Sequence, residues 1–414
     1  MSPDESLLEN TSRQAFTYFE EHANPENGLV ADSSRPHSPA SIAATGMALS
    51  LYPIAVERGW WNRQHALQIT LNTLRFFADS MQSEAPDATG NRGFFYHFLD
   101  MRGGKRAWKS ELSSIDSALL FAGMLTARAY FDRDTPDERE VRERADELFA
   151  SADWNWMCNE SDAVSLGWRP KRGFLPYQWR GYNEGLLISI LGLGSPTHPL
   201  PNENYREWCS TYKWKTIYGH EFLYAGPLFI HQFPQMWLDL RGRPDAWMRA
   251  HDCDYFENSR RATYVQREYA RRNPRGWVGY SEENWGISAS DGPGPASRLY
   301  NEKIRQFYGY AARGVPWGAD DGTLAPWAAI ASLPFAPDIV LPLMHQMSAR
   351  HLDFEATHNP SFDDWECSVR LAINQAPMVA MIENYRSRLL WDLLRDCDVM
   401  QRGLARAGFA NKSG

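Results

Sequence analysis

The chain has 414 residues, with 43 Lys and Arg against 51 Asp and Glu for a formal charge of −8, and 43% apolar content. That length allows one large domain or several ordinary ones, and its core needs no disulfide or metal staple. An aromatic content of 13% excludes a disordered chain, and the acidic balance argues against a nucleic-acid partner, which needs a basic face.

Helical periodicity dominates in chain order. It predicts helices over 5–22, 40–58, 63–82, 113–132 and 136–157. Further helices are predicted over 182–193, 226–241, 251–271, 324–333, 337–350 and 377–395. Period-two patterns are confined to 92–99 and 174–179 and predict small hairpins on one rim. There is no β-α-β rhythm, and Gly192-Leu193-Gly194 follows a helix, so it is not a dinucleotide fingerprint. The irregular stretches 24–40, 84–110, 159–181, 194–225 and 272–323 hold much of the Gly, Pro, Trp and Tyr. Loops so long and aromatic are expected to be ordered and functional. No linker divides the chain. The expected architecture is one all-α domain over 1–414, an (α/α)6 toroid of helix hairpins whose loops and small hairpins build a cleft on one rim. An α-solenoid is the alternative, disfavoured by the absence of a fixed-period repeat.

Cys158, Cys209, Cys253, Cys367 and Cys397 are scattered and read as single buried thiols. No apolar run reaches membrane-spanning length, so no membrane partner is expected. The start, Met1-Ser-Pro-Asp-Glu-Ser, lacks the basic and apolar segments of a signal peptide. This predicts a cytoplasmic location, or a periplasmic one if a signal has been removed.

Signatures for metals and cofactors are missing: no His-Glu-x-x-His, no Cys/His cluster, no Walker loop, no Gly-x-Ser-x-Gly. No cofactor and no metal are expected. Asp320-Asp321-Gly322-Thr323 reads as a tight turn, since it lacks the alternating ligands of a calcium loop. What recurs is carboxylates beside aromatics. Trp179-Arg180-Gly181-Tyr182-Asn183-Glu184 precedes an apolar helix, so Glu184 belongs to a first helical turn. There the helix dipole favours the ionised form and burial favours the protonated one; a general acid needs the second, a capping Glu the first. Asp116 opens another apolar helix and reads most simply as a first-turn acid favoured by the dipole. Asp239 and Arg241 stand close enough to pair. Trp285 leads a loop that ends in Asp291. Pyranose faces stack on indoles and phenols, and their hydroxyls need paired donors and acceptors. Glycoside hydrolysis then needs one protonated and one ionised carboxyl. The partner expected from this set is an oligo- or polysaccharide.

The ordered motifs Ser41-Ile-Ala-Ala-Thr45-Gly46, Gly93-Phe-Phe-Tyr-His97, Ser114-Ile-Asp116, Gly181-Tyr-Asn-Glu184-Gly and Leu228-Phe-Ile-His231-Gln232 resemble a known family. So do Trp237-Leu-Asp239-Leu-Arg241, Trp285-Gly-Ile-Ser-Ala-Ser-Asp291, Asp321-Gly-Thr-Leu-Ala-Pro326 and Ile382-Glu-Asn-Tyr-Arg386. The chain is similar, over about 10–409, to the bacterial glucoamylase-like domain that includes the β-1,2-glucanases of glycoside hydrolase family 144. The resemblance implies the toroid, an acidic central cleft, metal-independent cleavage of a β-linked glucan, and inversion. Carried over by position, Glu184 is the proton donor and Asp116 an acid of the same cleft. Trp179, Tyr182, His231, Asp239, Arg241, Trp285, Asp291, Asp321 and Asn374 are expected to form subsites. A motif similar to Asp-Gln-Gly-Pro in relatives reads Asn374-Gln375-Ala376-Pro377 here, and an amide cannot act as base. Asp291, Asp321 or Asp116 is then the candidate base. The alternatives are a transglycosylase, a lyase using a Tyr/His pair among Tyr182, His231 and His97, or a non-catalytic glucan binder.

Overall fold

Six helices with almost no exposed surface make up the middle of the molecule. They are found in a computed structural model that describes residues 2–411. In chain order the helices are α1 (Pro3–His22), α2 (Ile42–Glu57), α3 (Arg63–Asp79), α4 (Ser114–Tyr130), α5 (Pro136–Ala150), α6 (Trp154–Met157), α7 (Leu186–Gly194) and α8 (Asn204–Cys209). They continue with α9 (Leu228–Gln232), α10 (Ala246–Arg249), α11 (Tyr255–Arg272), α12 (Pro326–Ile330), α13 (Pro337–Ala349), α14 (Ala372–Arg386), α15 (Leu389–Leu394) and α16 (Asp398–Arg406). The buried ones pack as a row in the spatial order α9, α12, α14, α2, α4, α7. Their sequences explain this. α2 and α7 are apolar or small-residue all round, so no face is left for water. At the α2–α4 crossing the backbones almost touch: a Cβ on Gly123 would lie 1.9 Å from the Gly46 carbonyl oxygen. The amphipathic helices cover the row, with α1 on α14 and α2, α3 and α5 on α2 and α4, α8 and α16 on α7, α11 on α9, and α13 on α12. The main hydrophobic cluster runs from Leu8 to Phe409, and a small second one joins Ile217, Phe222, Ala262 and Val265.

The inner helices start at a common rim. Ser41 caps α2 and Ser113 caps α4, each accepting from a first-turn N–H. Very short strands lead into both caps. Ala40–Ser41 pairs with Phe98–Leu99, and Leu112–Ser113 pairs with Gly167–Arg169, which pairs with Gly173–Phe174.

Several expected elements differ. The predicted helix 226–241 is broken into α9 and a 3-10 turn at Pro234–Met236, because Pro234 has no N–H to continue the ladder. The stretch 377–395 becomes α14 and α15, parted at Arg388, whose φ is 65°. The helix expected from 182 starts at Leu186, leaving Tyr182 to Gly185 in a turn. The strand 92–99 is two separate two-residue pairings. Hairpins Trp214–Ile217/His220–Leu223 and Ala296–Tyr300/Lys303–Phe307 occupy stretches read as irregular. All five cysteines are free. Among the described residues no helix is long and apolar enough to cross a membrane.

Candidate active site

Five inner helices begin at one cavity of about 550 Å³. Its wall takes Ala43 from the start of α2, Asp116 from α4, Glu184 from the turn before α7, Phe229 from α9 and Asn374 from α14. Helix N-termini carry partial positive charge, so this rim suits anionic side chains. Four acids line it: Asp32, Asp116, Glu184 and Asp291.

Glu184 does not cap α7. No side chain caps that helix, and only the Glu184 carbonyl joins it, accepting from Leu187 N–H at 3.2 Å. Among the described residues no side chain donates to its carboxyl. Burial, with a minor push from Asp116, raises that carboxyl to about 7. Trp179 steadies the turn: it lies against Gly185 and donates from Nε1 to Ser114 Oγ at 2.9 Å.

Asp32 was absent from the sequence-derived candidates. Its strand-like segment bonds on one side to Pro39 and on the other to Ala372, in front of Asn374. Its carboxyl has no hydrogen-bond or ion-pair partner among the described residues. Burial raises it to about 6; Asp116 and Asp291 add to this, while His97 and Arg35 oppose it. The only signal in the sequence was an acid in a long loop just before the Ser41 cap.

The other two acids are engaged. Asp116 exchanges bonds with Ser113, taking Oγ–H at 2.5 Å and giving its N–H at 3.2 Å. His97 Nδ1 is 2.9 Å from Glu111 and 3.6 Å from Asp116. Burial resists the charge on His97, but Asp116, Glu111 and Asp32 outweigh it and lift the imidazole to about 9. His97, Glu111 and Asp116 are also the described cluster close enough to hold a metal ion. With the imidazole protonated, His97 stands between the two carboxylates as an ion-pair triad. Asp291 is held by Arg35 at 2.5 Å. Asn374 is buried and its Oδ1 has no hydrogen-bond partner among the described residues.

Seven sequence-derived candidates do not line this cavity. Trp179 and Tyr182 stand in the turn before α7 and bond elsewhere. Tyr182 donates to His231 Nδ1 at 3.1 Å, and His231 Nε2 donates to Ala225 O at 3.2 Å. Burial lowers His231 to about 4, so it is neutral; of the residues named for a lyase pair, Tyr182 and His231 lie away from the cavity and His97 lines it. Asp239 is bound by Arg241 at 2.7 Å and Arg388 at 3.0 Å, beside a separate cavity lined by Trp237 and Trp391. Trp285 is core, 1% exposed. Asp321 is clamped by fully buried Arg313 at 2.8 and 2.9 Å. Of the tryptophans, Trp108 lines the cavity, 67% exposed at its mouth and 4.9 Å from the Phe98 ring.

Comparison with known proteins gives a consistent picture. The chain is 26% identical, over 97% of its length, to an exo β-1,2-glucooligosaccharide sophorohydrolase (non-reducing end) of Parabacteroides distasonis, and spans 58% of that relative. It superposes on an endo-β-1,2-glucanase from Chitinophaga pinensis with a TM-score of 0.87, at 25% identity and 99% coverage of both chains. A β-1,2-glucanase structure from Parabacteroides distasonis gives a TM-score of 0.87 at 25% identity, covering 99% of this chain and 60% of that one. The Glycoamylase family model ("Putative glucoamylase") matches residues 176–398, more than half of the sequence, and the chain belongs to that family.

Proposed function

We propose that the protein hydrolyses β-1,2-linked gluco-oligosaccharides with inversion, Glu184 acting as general acid and Asp32 as general base. The carrying observation is Glu184: an acid without a cation partner, raised to about 7, in the same cavity as an unpartnered Asp32 at about 6. Near neutrality the first keeps its proton for the leaving oxygen and the second is ionised to take one from water. The remaining candidates for base are less free. Asp321 is bound to Arg313, Asp291 to Arg35, and Asp116 to Ser113. Asp116 and Asp291 instead supply negative charge around a developing oxocarbenium ion. Asn374 Oδ1, buried and unpartnered, is suited to accept from a sugar hydroxyl or the attacking water. The substrates named for the Parabacteroides and Chitinophaga relatives support the linkage.

The helix order supports an (α/α)6 toroid around this cleft. The inner set α2, α4, α7, α9, α12 and α14 alternates along the chain with the covering helices α1, α3, α5, α8, α11 and α13.

The test is a panel of β-1,2-, β-1,3- and α-linked glucans, with products separated by chromatography and the first-formed anomer read by NMR. Product from the β-1,2 chain alone, released as the α-anomer, is expected. No product from it at high enzyme loading overturns the reading. The amide at Asn374 favours one second reading, transfer to a sugar hydroxyl; oligomers longer than the substrate would reveal it.

A further inference from the structure

A second groove, of about 820 Å³, adjoins the cavity, and Trp108 lines both. Its charge is opposite to that of the chain as a whole. Arg106, Lys109, Arg169, Lys171 and Arg172 line it, against the single carboxylate Asp87, which Lys105 already engages at 3.0 Å. Lys109, Lys171 and Arg172 are exposed and have no carboxylate within ion-pair distance among the described residues. Arg106 is fixed without any acid: it donates to the carbonyls of Ser110 at 2.5 Å and Lys109 at 2.8 Å and lies 4.7 Å over the Tyr96 ring. Arg169 lies 3.6 Å from Glu111, the acid that holds His97, so the groove and the cavity also meet through this pair.

Resting on the reading of the main cavity as a saccharide cleft, we propose that the groove beyond Trp108 binds an anionic substituent carried by the glucan. A neutral glucan leaving the cavity across Trp108 would meet donors with nothing charged to receive. An ester-linked carboxylate or a phosphate on the chain meets the ammonium groups of Lys109 and Lys171 and the guanidinium of Arg172, which no acid among the described residues satisfies. Lys109, Lys171 and Arg172 are exposed, so the attraction is screened by salt.

The test uses the full chain with two probes, β-1,2-gluco-oligosaccharides either unsubstituted or carrying on average one succinyl ester per chain. The succinylated chain is expected to show a kcat/KM about tenfold higher at low salt, as several exposed ion contacts together would give. That advantage should fall to about unity between about 0.05 and 0.5 M salt. The double substitution Lys109→Glu, Lys171→Glu should remove it while leaving turnover of the unsubstituted chain unchanged. Equal turnover of both probes, or a preference indifferent to salt and to charge reversal, overturns the proposal. If neither probe is cleaved, the hydrolase reading falls, and calorimetric binding decides the groove by the same criteria. Tighter binding of the succinylated chain, lost on charge reversal, supports it, and equal binding overturns it.

Discussion

Glu184 and Asp321 look alike in their sequence surroundings: each is an acid in a loop among glycines and aromatics, just before an apolar helix. The structure gives them opposite lives. Asp321 has a buried guanidinium on both oxygens and N–H groups from Tyr308 and Thr323; burial alone would raise its carboxyl, but Arg313 outweighs it and holds it below the usual range. Glu184 has burial without the cation and moves the other way. A saturated acid is a structural clamp, whereas an unsaturated one beside a cavity keeps a proton it can give away.

Exchanging each for its amide separates these roles. Glu184→Gln removes the proton that the proposed mechanism donates and is expected to lower kcat/KM on a β-1,2-linked gluco-oligosaccharide by about 10²–10⁴-fold, measured by product release. Its circular dichroism should match the parent. Asp321→Asn strands the Arg313 charge in the core and is expected to cost about 3–5 kcal/mol of stability, read by denaturant unfolding. A stable Asp321→Asn protein, or a Glu184→Gln protein that unfolds, would reverse the comparison.

The pH dependence of stability sharpens it further. The folded chain binds the Glu184 proton more tightly than the unfolded chain, whose carboxyl has the ordinary value of 4.5 against about 7 when folded. That contribution is therefore fully present below the unfolded value and is lost as pH rises through about 7. Relative to the parent, Glu184→Gln is expected to be unchanged at about pH 4 and more stable by roughly 1–3 kcal/mol at about pH 8. Thermal melts at the two pH values check the sign.

Much of this could be read from residue order, for physical reasons that also mark where reading stops. The long helices α1 to α5 follow from periodicity and from caps such as Asn62, Ser113 and Thr135. Glu184, Asp116, Asp291 and Asn374 were legible as motif residues, and all four line one cavity. Asp32 was not. Its position depends on pairing with Ala372, a contact across most of the chain, and the intervening loop has no periodicity to betray it. The loop tryptophans were misread for a related reason. Composition shows that an indole is present but not which way its loop folds, and Trp208, Trp277 and Trp285, all in stretches read as irregular, turned inward. Asp239 and Arg241 were legible as a pair, yet their cavity is a different one.

The smallest expected effect compares two of those indoles. Trp285 is 1% exposed and Trp108 is 67% exposed at the cavity mouth. Trp108 is propped rather than packed: its ring rests on Phe98, whose ring in turn stacks 3.9 Å from His97. An exposed indole with a fixed underside is suited to bind a sugar face equally in ground and transition states. Trp108→Ala should thus raise KM about fivefold, roughly 1 kcal/mol, with kcat unchanged. Trp108→Phe should recover part of that loss, because the stacking face is kept. Trp285→Phe should lower the melting temperature while leaving KM where it was, since its indole touches no part of the cavity. A kcat loss in Trp108→Ala would mean that the stack beneath it also positions His97 against Asp116, and the mouth and the acid cluster would then act as one unit.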